Sequence, residues 1–540
     1  MRFKRHLPLV ILLSAGAALA CAWRLYLHLT RYDMLIINAR VVDGTGAPQF
    51  RAAVGVRNGR IVRVGDVKPD GYTGVVIDAG GRVVAPGFID IHTHAESIYG
   101  SPAAENFVRM GVTTVVTGNC GSSDVNVARF FDEINRRPLA VNIATFIGHN
   151  SVRALVMGTD DREPTPEEMR RMEGLVGRAM KDGAMGLSTG LIYTPGAYAR
   201  TEEIVALARV AERHGGIYAT HIRDEGAGVF GALREAIQVG EEARIPVEVS
   251  HLKVSSKKLW GGSAQALSLI EEARARGVAV SCDAYAYTAS STSLDVLLPD
   301  WVRAGGREAA GKRLEDSATR ARVLREMLES LGENGYEDFS YAVVANFQAN
   351  PSHNGKSIAD ITRQERGGAS PSQQAEQVLD MYLRGGASMV YHRMSEDDVR
   401  RIIHSPLVSI ASDSGIQWAD DGVPHPRSYG NNARVLGYYV RDLRLMPLEE
   451  AIRKMTYMPA GVLGMRDRGL IREGYAADLV IFDDAAVSDR ATYEQPRQYP
   501  SGIAYVIVNG QVVLGDGRMT AARPGQALRR SGGGPWGWLN

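Results

Sequence analysis

The stretch Pro86-Gly87-Phe88-Ile89-Asp90-Ile91-His92-Thr93-His94 decides how the rest of the chain is read. Apolar, β-branched runs on either side of its Pro-Gly turn signal, Arg82-Val83-Val84-Ala85 and Phe88-Ile89-Asp90-Ile91, predict two strands. Residues i and i+2 of a strand face the same way, so His92 and His94 can reach one cation from a single strand end. Imidazole suits zinc and its neighbours. Two histidines alone are a weak motif, with surface or core histidines as the plain alternative.

Downstream, strands and helices alternate. Thr113-Thr114-Val115-Val116-Thr117, Val141 to Thr145, Gly186-Leu187-Ser188, Ile217 to Thr220, Val247 to Ser250, Val278 to Cys282 and Leu407 to Ala411 read as strands. Helices over Thr165 to Asp182, Thr201 to His214 and Ala264 to Arg276 lie between them, the first opened by Pro166 with Glu167 and Glu168 in its first turn. With the His92 strand this makes eight βα units, the pattern of a (β/α)₈ barrel. From about 289 to 347 the alternation fails, and that segment is expected to be an insertion over the barrel mouth.

The two ends share another texture. Short strands and turns fill 33–85, with Asn58-Gly59 a strong hairpin signal, and return in Ala477 to Phe482 and Tyr505 to Leu514. Two all-β ends most economically form one small sandwich. The expected architecture is therefore an α/β, TIM-type barrel over 86–465 beside a β-sandwich built from 33–85 and 466–520, with a tail over 521–540. A length of 540 residues accommodates this, since one barrel alone takes about 250.

Lys and Arg total 62 against 61 acidic residues, a balance that gives no basis for a nucleic-acid surface. The three cysteines, Cys21, Cys120 and Cys282, are too few and scattered for a disulfide framework. Arg2, Lys4 and Arg5 precede an apolar run from Leu7 to Trp23, the pattern of an export signal over 1–32. Three outcomes fit: an uncleaved inner-membrane anchor through residues 7–29, cleavage after Ala18-Leu19-Ala20, or lipidation at Cys21. In each, the charge rule places the body of the protein outside the cytoplasm, facing or within the periplasm.

Cys120, His221, His251 and Asp413 each fall just after a candidate strand, as His92 and His94 do. In a barrel that is the C-terminal rim, where active sites are built. Four histidines, a cysteine and an aspartate at one position of the repeat predict a metal centre. Cys282, inside a strand, reads as a small buried hydrophobe.

The Pro86 to His94 stretch resembles the opening of the amidohydrolase superfamily. Gly118-Asn119-Cys120-Gly121, Gly186 to Tyr193, Ser250-His251-Leu252-Lys253 and His425 to Gly430 resemble its N-acyl-D-amino-acid deacylase (D-aminoacylase) branch. The resemblance implies one tightly bound zinc on Cys120, His221 and His251, with Cys120 in the bridging place, and a second, weaker position flanked by His92, His94 and Asp413. It implies a small-molecule N-acyl amino acid as substrate, cleaved at its amide bond by an activated water. Asp413 is the natural general base, passing the water's proton to the leaving amine. The substrate carboxylate calls for cations or hydroxyls. Lys253 shares a face with His251, Arg427 offers a bidentate fork, and Tyr285 and Tyr193 offer hydroxyls. The resemblance places Lys253, Tyr285 and Arg427 on that carboxylate more firmly than Tyr193.

Two departures from the branch pattern, Ser414 after Asp413 and Asn431-Asn432-Ala433-Arg434, bear on specificity more than on chemistry. A cyclic amidase or dipeptidase of the same superfamily is the alternative, although cyclic amidases usually carry lysine in the place of Cys120. A non-catalytic, membrane-tethered binding protein is the remaining one. Oligomeric state and acyl preference stay open at this level.

Overall fold

A two-residue turn, Asn58-Gly59, with φ of 51° and 73°, joins the antiparallel strands Phe50–Arg57 and Arg60–Gly65. Positive φ at both central positions matches the right-handed twist of the flanking strands, and Asn followed by Gly adopts it at little cost. Asn509-Gly510, φ 46° and 77°, repeats the device between Ile503–Val508 and Gln511–Gly515. The computed structural model describes residues 32–69, 73–418 and 422–530, together with 16, 18–23 and 25.

These hairpins belong to one nine-stranded sheet contributed by both chain ends. Its seam is the antiparallel pairing of Val83–Pro86 with Leu479–Phe482, Leu479 opposite Pro86. Strand alternation divides the side chains between two cores. Val84, Leu479 and Ile481 join Met34, Ile36, Val54 and Val56 inside the small sandwich. Val83, Ala85, Val480 and Phe482 face the other way into the main core, against Phe88 and Val112. The sandwich is thus welded to the barrel through every second residue of the strand that leads to His92.

Eight parallel strands form the barrel: Phe88–Asp90, Val112–Thr117, Asn142–Thr145, Gly186–Gly190, Ile217–His221, Val247–Val249, Val280–Ala284 and Val408–Ile410. Parallel strands covered by helices are buried on both faces, and these are buried along their length. The eighth strand returns to the first: Ser414 and Gly415 pair in parallel with Thr93 and His94, and the Asp413 N–H donates to the His92 carbonyl at 2.9 Å. The helix Pro166–Lys181 opens on a capping box, in which the Thr165 hydroxyl accepts from the Glu168 N–H and the Glu168 carboxylate accepts from the Thr165 N–H.

The segment over the mouth has a sheet and core of its own. Ser290–Ser293, Ala342–Asn346 and Ser388–Tyr391 form an antiparallel sheet, packed with helices such as Ser317–Glu333 and Pro371–Leu383 around Leu294, Val323, Phe339 and Leu379. It runs to Tyr391, past the 347 expected from sequence. The helices Ile358–Arg366 and Pro371–Leu383 restore the βα rhythm, so periodicity alone does not reveal that the excursion continues. The tail lies along the barrel, where Gln526 O accepts from Ile143 N and the Leu528 N–H donates back to Ile143 O; residues 531–540 fall outside the described residues.

The expected inner-membrane location is corrected by the structure. No helix among the described residues is long and apolar enough to cross a membrane, for which about 20 residues are needed. Much of the 7–29 stretch, including residues 7–15, lies outside the described residues.

Candidate metal centre

Each donor predicted from sequence stands where a barrel strand ends. His221 is the last residue of Ile217–His221, and His92, Cys120, His251 and Asp413 lie within three residues of the ends of their strands. Three of them, Cys120, His251 and Asp413, have left-handed backbones, with φ of 51°, 36° and 51°. A non-glycine residue held there costs on the order of 1 kcal/mol or more and persists only where its surroundings enforce it. The surroundings do so: His251 N donates to Asp283 Oδ1 at 2.8 Å, and Asp413 N is fixed by the His92 carbonyl. At Cys120 the flanking Gly121 admits no side chain, since a Cβ there would lie 2.0 Å from Asn150 Oδ1. The sharp reversals turn all three side chains inward over the barrel axis.

Cys120 Sγ lies 3.4 Å from His92 Nε2, 3.7 Å from His221 Nδ1 and 3.5 Å from His251 Nε2. Asp413 Oδ1 lies 3.3 Å from His94 Nε2 and 3.6 Å from His92 Nε2. These atoms form three overlapping triads, Cys120 with His221 and His251, His92 with His94 and Cys120, and His92 with His251 and Asp413. The spacing fits an ion. Ligands of one tetrahedral zinc, at about 2.3 Å for sulfur and about 2.1 Å for nitrogen, lie roughly 3.6 Å apart. Burial would raise the Cys120 thiol, but the charge of His92 and hydrogen bonds from His221, His251 and His92 outweigh it and hold the group well below its ordinary value. A thiolate among imidazoles is a donor set that zinc favours.

Two carboxylates brace the histidines from behind. Asp283 Oδ2 meets His92 Nδ1 at 3.2 Å, and Glu225 Oε1 meets His251 Nδ1 at 3.0 Å. Cys282, next to Asp283, is fully buried in the main core as expected.

Beside this cluster opens a cavity of about 550 Å³ lined by Tyr193, Glu225, Lys253, Tyr285, Ser291 and Arg393, among others. Lys253 is buried there with its ammonium against Glu225. Tyr285 stacks between the cations, with Lys253 Nζ 5.7 Å and the Arg427 guanidinium 4.6 Å from its ring centre. Tyr193 sets its ring edge-on to His221 and pairs its hydroxyl with Thr292 of the mouth segment at 2.8 Å. Asn150 fixes the Tyr193 loop by donating to the Gly190 and Tyr193 carbonyls.

Arg427 differs from expectation. Its Nη1 sits 2.8 Å from Asp413 Oδ2, and the residue lines a smaller neighbouring cavity of about 230 Å³ instead of the main one. Its place on the start of helix Arg427–Arg434 directs it at the aspartate. A second cation, beside Lys253, lines the main cavity: Arg393, which has no carboxylate partner among the described residues, whose Nε is buried without an acceptor, and whose guanidinium lies 4.9 Å from the Tyr391 ring centre. Sequence reasoning missed Arg393 because it follows a strand of the mouth sheet, not of the barrel. Glu225 and Asp283 were missed as well, though His221 to Glu225 is an i, i+4 pair directly after a strand.

Comparison with known proteins agrees with this geometry. Residues 75–514 match the family model described as "Amidohydrolase family". The chain is 37% identical over 524 residues to the D-aminoacylase of Alcaligenes xylosoxydans xylosoxydans, covering 93% of this chain and 98% of that enzyme. A crystal structure of D-aminoacylase superposes with a TM-score of 0.80 at 37% identity, over 92% of this chain and 100% of that one. The N-acyl-D-glutamate deacylase of Bordetella bronchiseptica, solved with zinc and a phosphonate mimic of the tetrahedral intermediate, gives 0.79 at 34% identity, over 93% and 100%. With a barrel, a sandwich from both chain ends and a Cys-His-Asp donor cluster at the rim, the chain belongs to the amidohydrolase family, in its D-aminoacylase branch, and is a hydrolase of amide bonds.

Proposed function

We propose that the protein hydrolyses N-acyl-D-amino acids to a carboxylate and a free D-amino acid, using one tightly held zinc and offering a second, weaker cation position. The observation that carries this reading is the juxtaposition of the Cys120, His221 and His251 donors with a cavity whose wall presents Lys253, Tyr285 and the uncompensated Arg393. Cys120, His221 and His251 would hold the tight ion, and His92, His94 and Asp413 would flank the weaker position. Zinc bound there supplies a Lewis acid that acidifies a water and polarises a carbonyl.

The chain's own residues do the rest. Lys253 and Arg393 take the substrate carboxylate, with the Tyr285 ring and hydroxyl beside them, and so fix the α-carbon relative to the donor cluster. Asp413 accepts the proton of the attacking water as oxygen bonds to the acyl carbon. It returns that proton to nitrogen as the C–N bond breaks and the amine leaves. Burial alone would raise the Asp413 carboxyl, but the Arg427 and His92 charges and the His94 hydrogen bond hold it well below the ordinary range, so it stands ionised, the form a proton acceptor needs. Tyr193, tied to Thr292, closes the cavity beside His221.

Preference for the D enantiomer follows the named relatives, which act on D substrates by name. The test is release of free amino acid from paired N-acetyl-D- and N-acetyl-L-methionine and -glutamate. Turnover confined to the D series supports the reading, and equal rates on both enantiomers exclude it.

A further inference from the structure

Behind the donor cluster, one carboxylate oxygen lies within ion-pair distance of three nitrogens. Glu225 Oε1 lies 3.0 Å from His251 Nδ1, 3.5 Å from His221 Nε2 and 2.5 Å from Lys253 Nζ. The opposite ring nitrogens, His251 Nε2 and His221 Nδ1, face Cys120 Sγ. Each imidazole is therefore bracketed between the thiol and Glu225. His221 and Glu225 follow one barrel strand, His251 and Lys253 the next, and the Glu225 carboxylate bridges the two strand ends.

The Lys253 contact adds a constraint. Lys253 Nζ is also 2.7 Å from His251 Nδ1, yet a ring nitrogen does not accept from an ammonium while donating to a carboxylate. With the Nε2 lone pair turned to a cation, Nδ1 carries the proton, and Glu225 is the acceptor it shares with Lys253. A carboxylate in that position fixes the tautomer and strengthens the imidazole as a ligand.

We infer that Glu225 is a positioning residue that couples cation retention to recognition of the substrate carboxylate, by holding His221 and His251 from one side and Lys253 from the other. This rests on the roles proposed for those three residues. It has a signed consequence. Removing the Glu225 charge weakens both histidines as ligands. Removing the Lys253 charge leaves Glu225 to the histidines alone and takes a positive charge from beside the cation, which tightens it. A carboxylate that merely packs the site predicts no such opposition.

The test is zinc affinity of the full-length protein, read by competition with a chromophoric chelator, with thermal melting as the check on folding. Glu225→Gln is expected to bind zinc about 10–100-fold more weakly, and Lys253→Met more tightly than the unsubstituted protein. A folded Glu225→Gln protein with unchanged affinity overturns the inference. If Glu225→Gln does not fold, Glu225→Asp takes its place, since it keeps the charge but withdraws the oxygen from His251 and Lys253: a folded protein with weaker zinc binding upholds the inference, and one with unchanged affinity ends it. A wild-type protein that takes up no zinc overturns the proposed function itself, a result visible before any substitution is made.

Discussion

Arg427 Nη1 stands 2.8 Å from Asp413 Oδ2, and both side chains are buried. A guanidinium so placed helps to hold the aspartate ionised. Arg427→Met is therefore expected to lower kcat roughly 10–100-fold with little change in KM, because it disturbs a group that works in the transition state. Steady-state kinetics on an N-acetyl-D-amino acid check this, and a rise in KM at constant kcat would return Arg427 to the carboxylate.

Arg393 carries the complementary expectation. Its charge is uncompensated where it lines the cavity, so loss of a charge-assisted pair there costs about 2 kcal/mol of binding. Arg393→Met is expected to raise KM roughly 10–100-fold while kcat stays within a few fold. An amide analogue lacking the carboxylate should be insensitive to the same substitution.

Asp413→Asn separates proton transfer from ligation. The tight triad does not include Asp413, so zinc content is expected to persist while kcat falls on the order of 10²–10⁴-fold. Elemental analysis beside the rate assay reads both quantities, and full turnover with retained zinc would remove Asp413 from the proton relay.

Away from the site, Lys454 gives a pH-dependent stability. It is buried beneath the eighth strand, its ammonium donating to the Ser405 carbonyl and to Val408 O at 2.9 Å, and burial pulls its pKa down to about 7 from 10.5. Between those values the unfolded chain holds a proton that the folded one has lost, so this residue's contribution rises with pH from 7 toward 10.5; below 7 both states are protonated and the full cost of the buried charge remains. Lys454→Met removes this dependence. The stability of wild type relative to the variant is expected to increase by about 2 kcal/mol between pH 7 and pH 9, measured by denaturant unfolding. A pH-independent difference would refute the assignment.

The barrel and its candidate donors were legible because a short buried, β-branched run with a His, Cys or Asp at its end or within three residues beyond it recurs around the rim, as at Ile217–His221 and at Val408–Ile410 with Asp413. The sandwich was legible from Asn58-Gly59 and the matching texture of the two ends. What sequence does not display is backbone sign and cross-chain pairing. The positive φ of Cys120, His251 and Asp413 is not announced by the residue itself, since no glycine occupies those three positions. Arg427 and Asp413 were both identified, yet their pairing needs the fold. Arg393 and the true extent of the mouth segment escaped for one reason: its strand Ser388–Tyr391 reads like any other, and only the pairing with Ser290–Ser293 assigns it to a separate sheet.

The most direct test is X-ray absorption at the zinc edge on the purified, zinc-loaded protein. The account predicts one sulfur neighbour at about 2.3 Å and nitrogen neighbours at about 2.0–2.1 Å, with the sulfur lost in Cys120→Ser. A first shell of nitrogen and oxygen alone in the unsubstituted protein would contradict it.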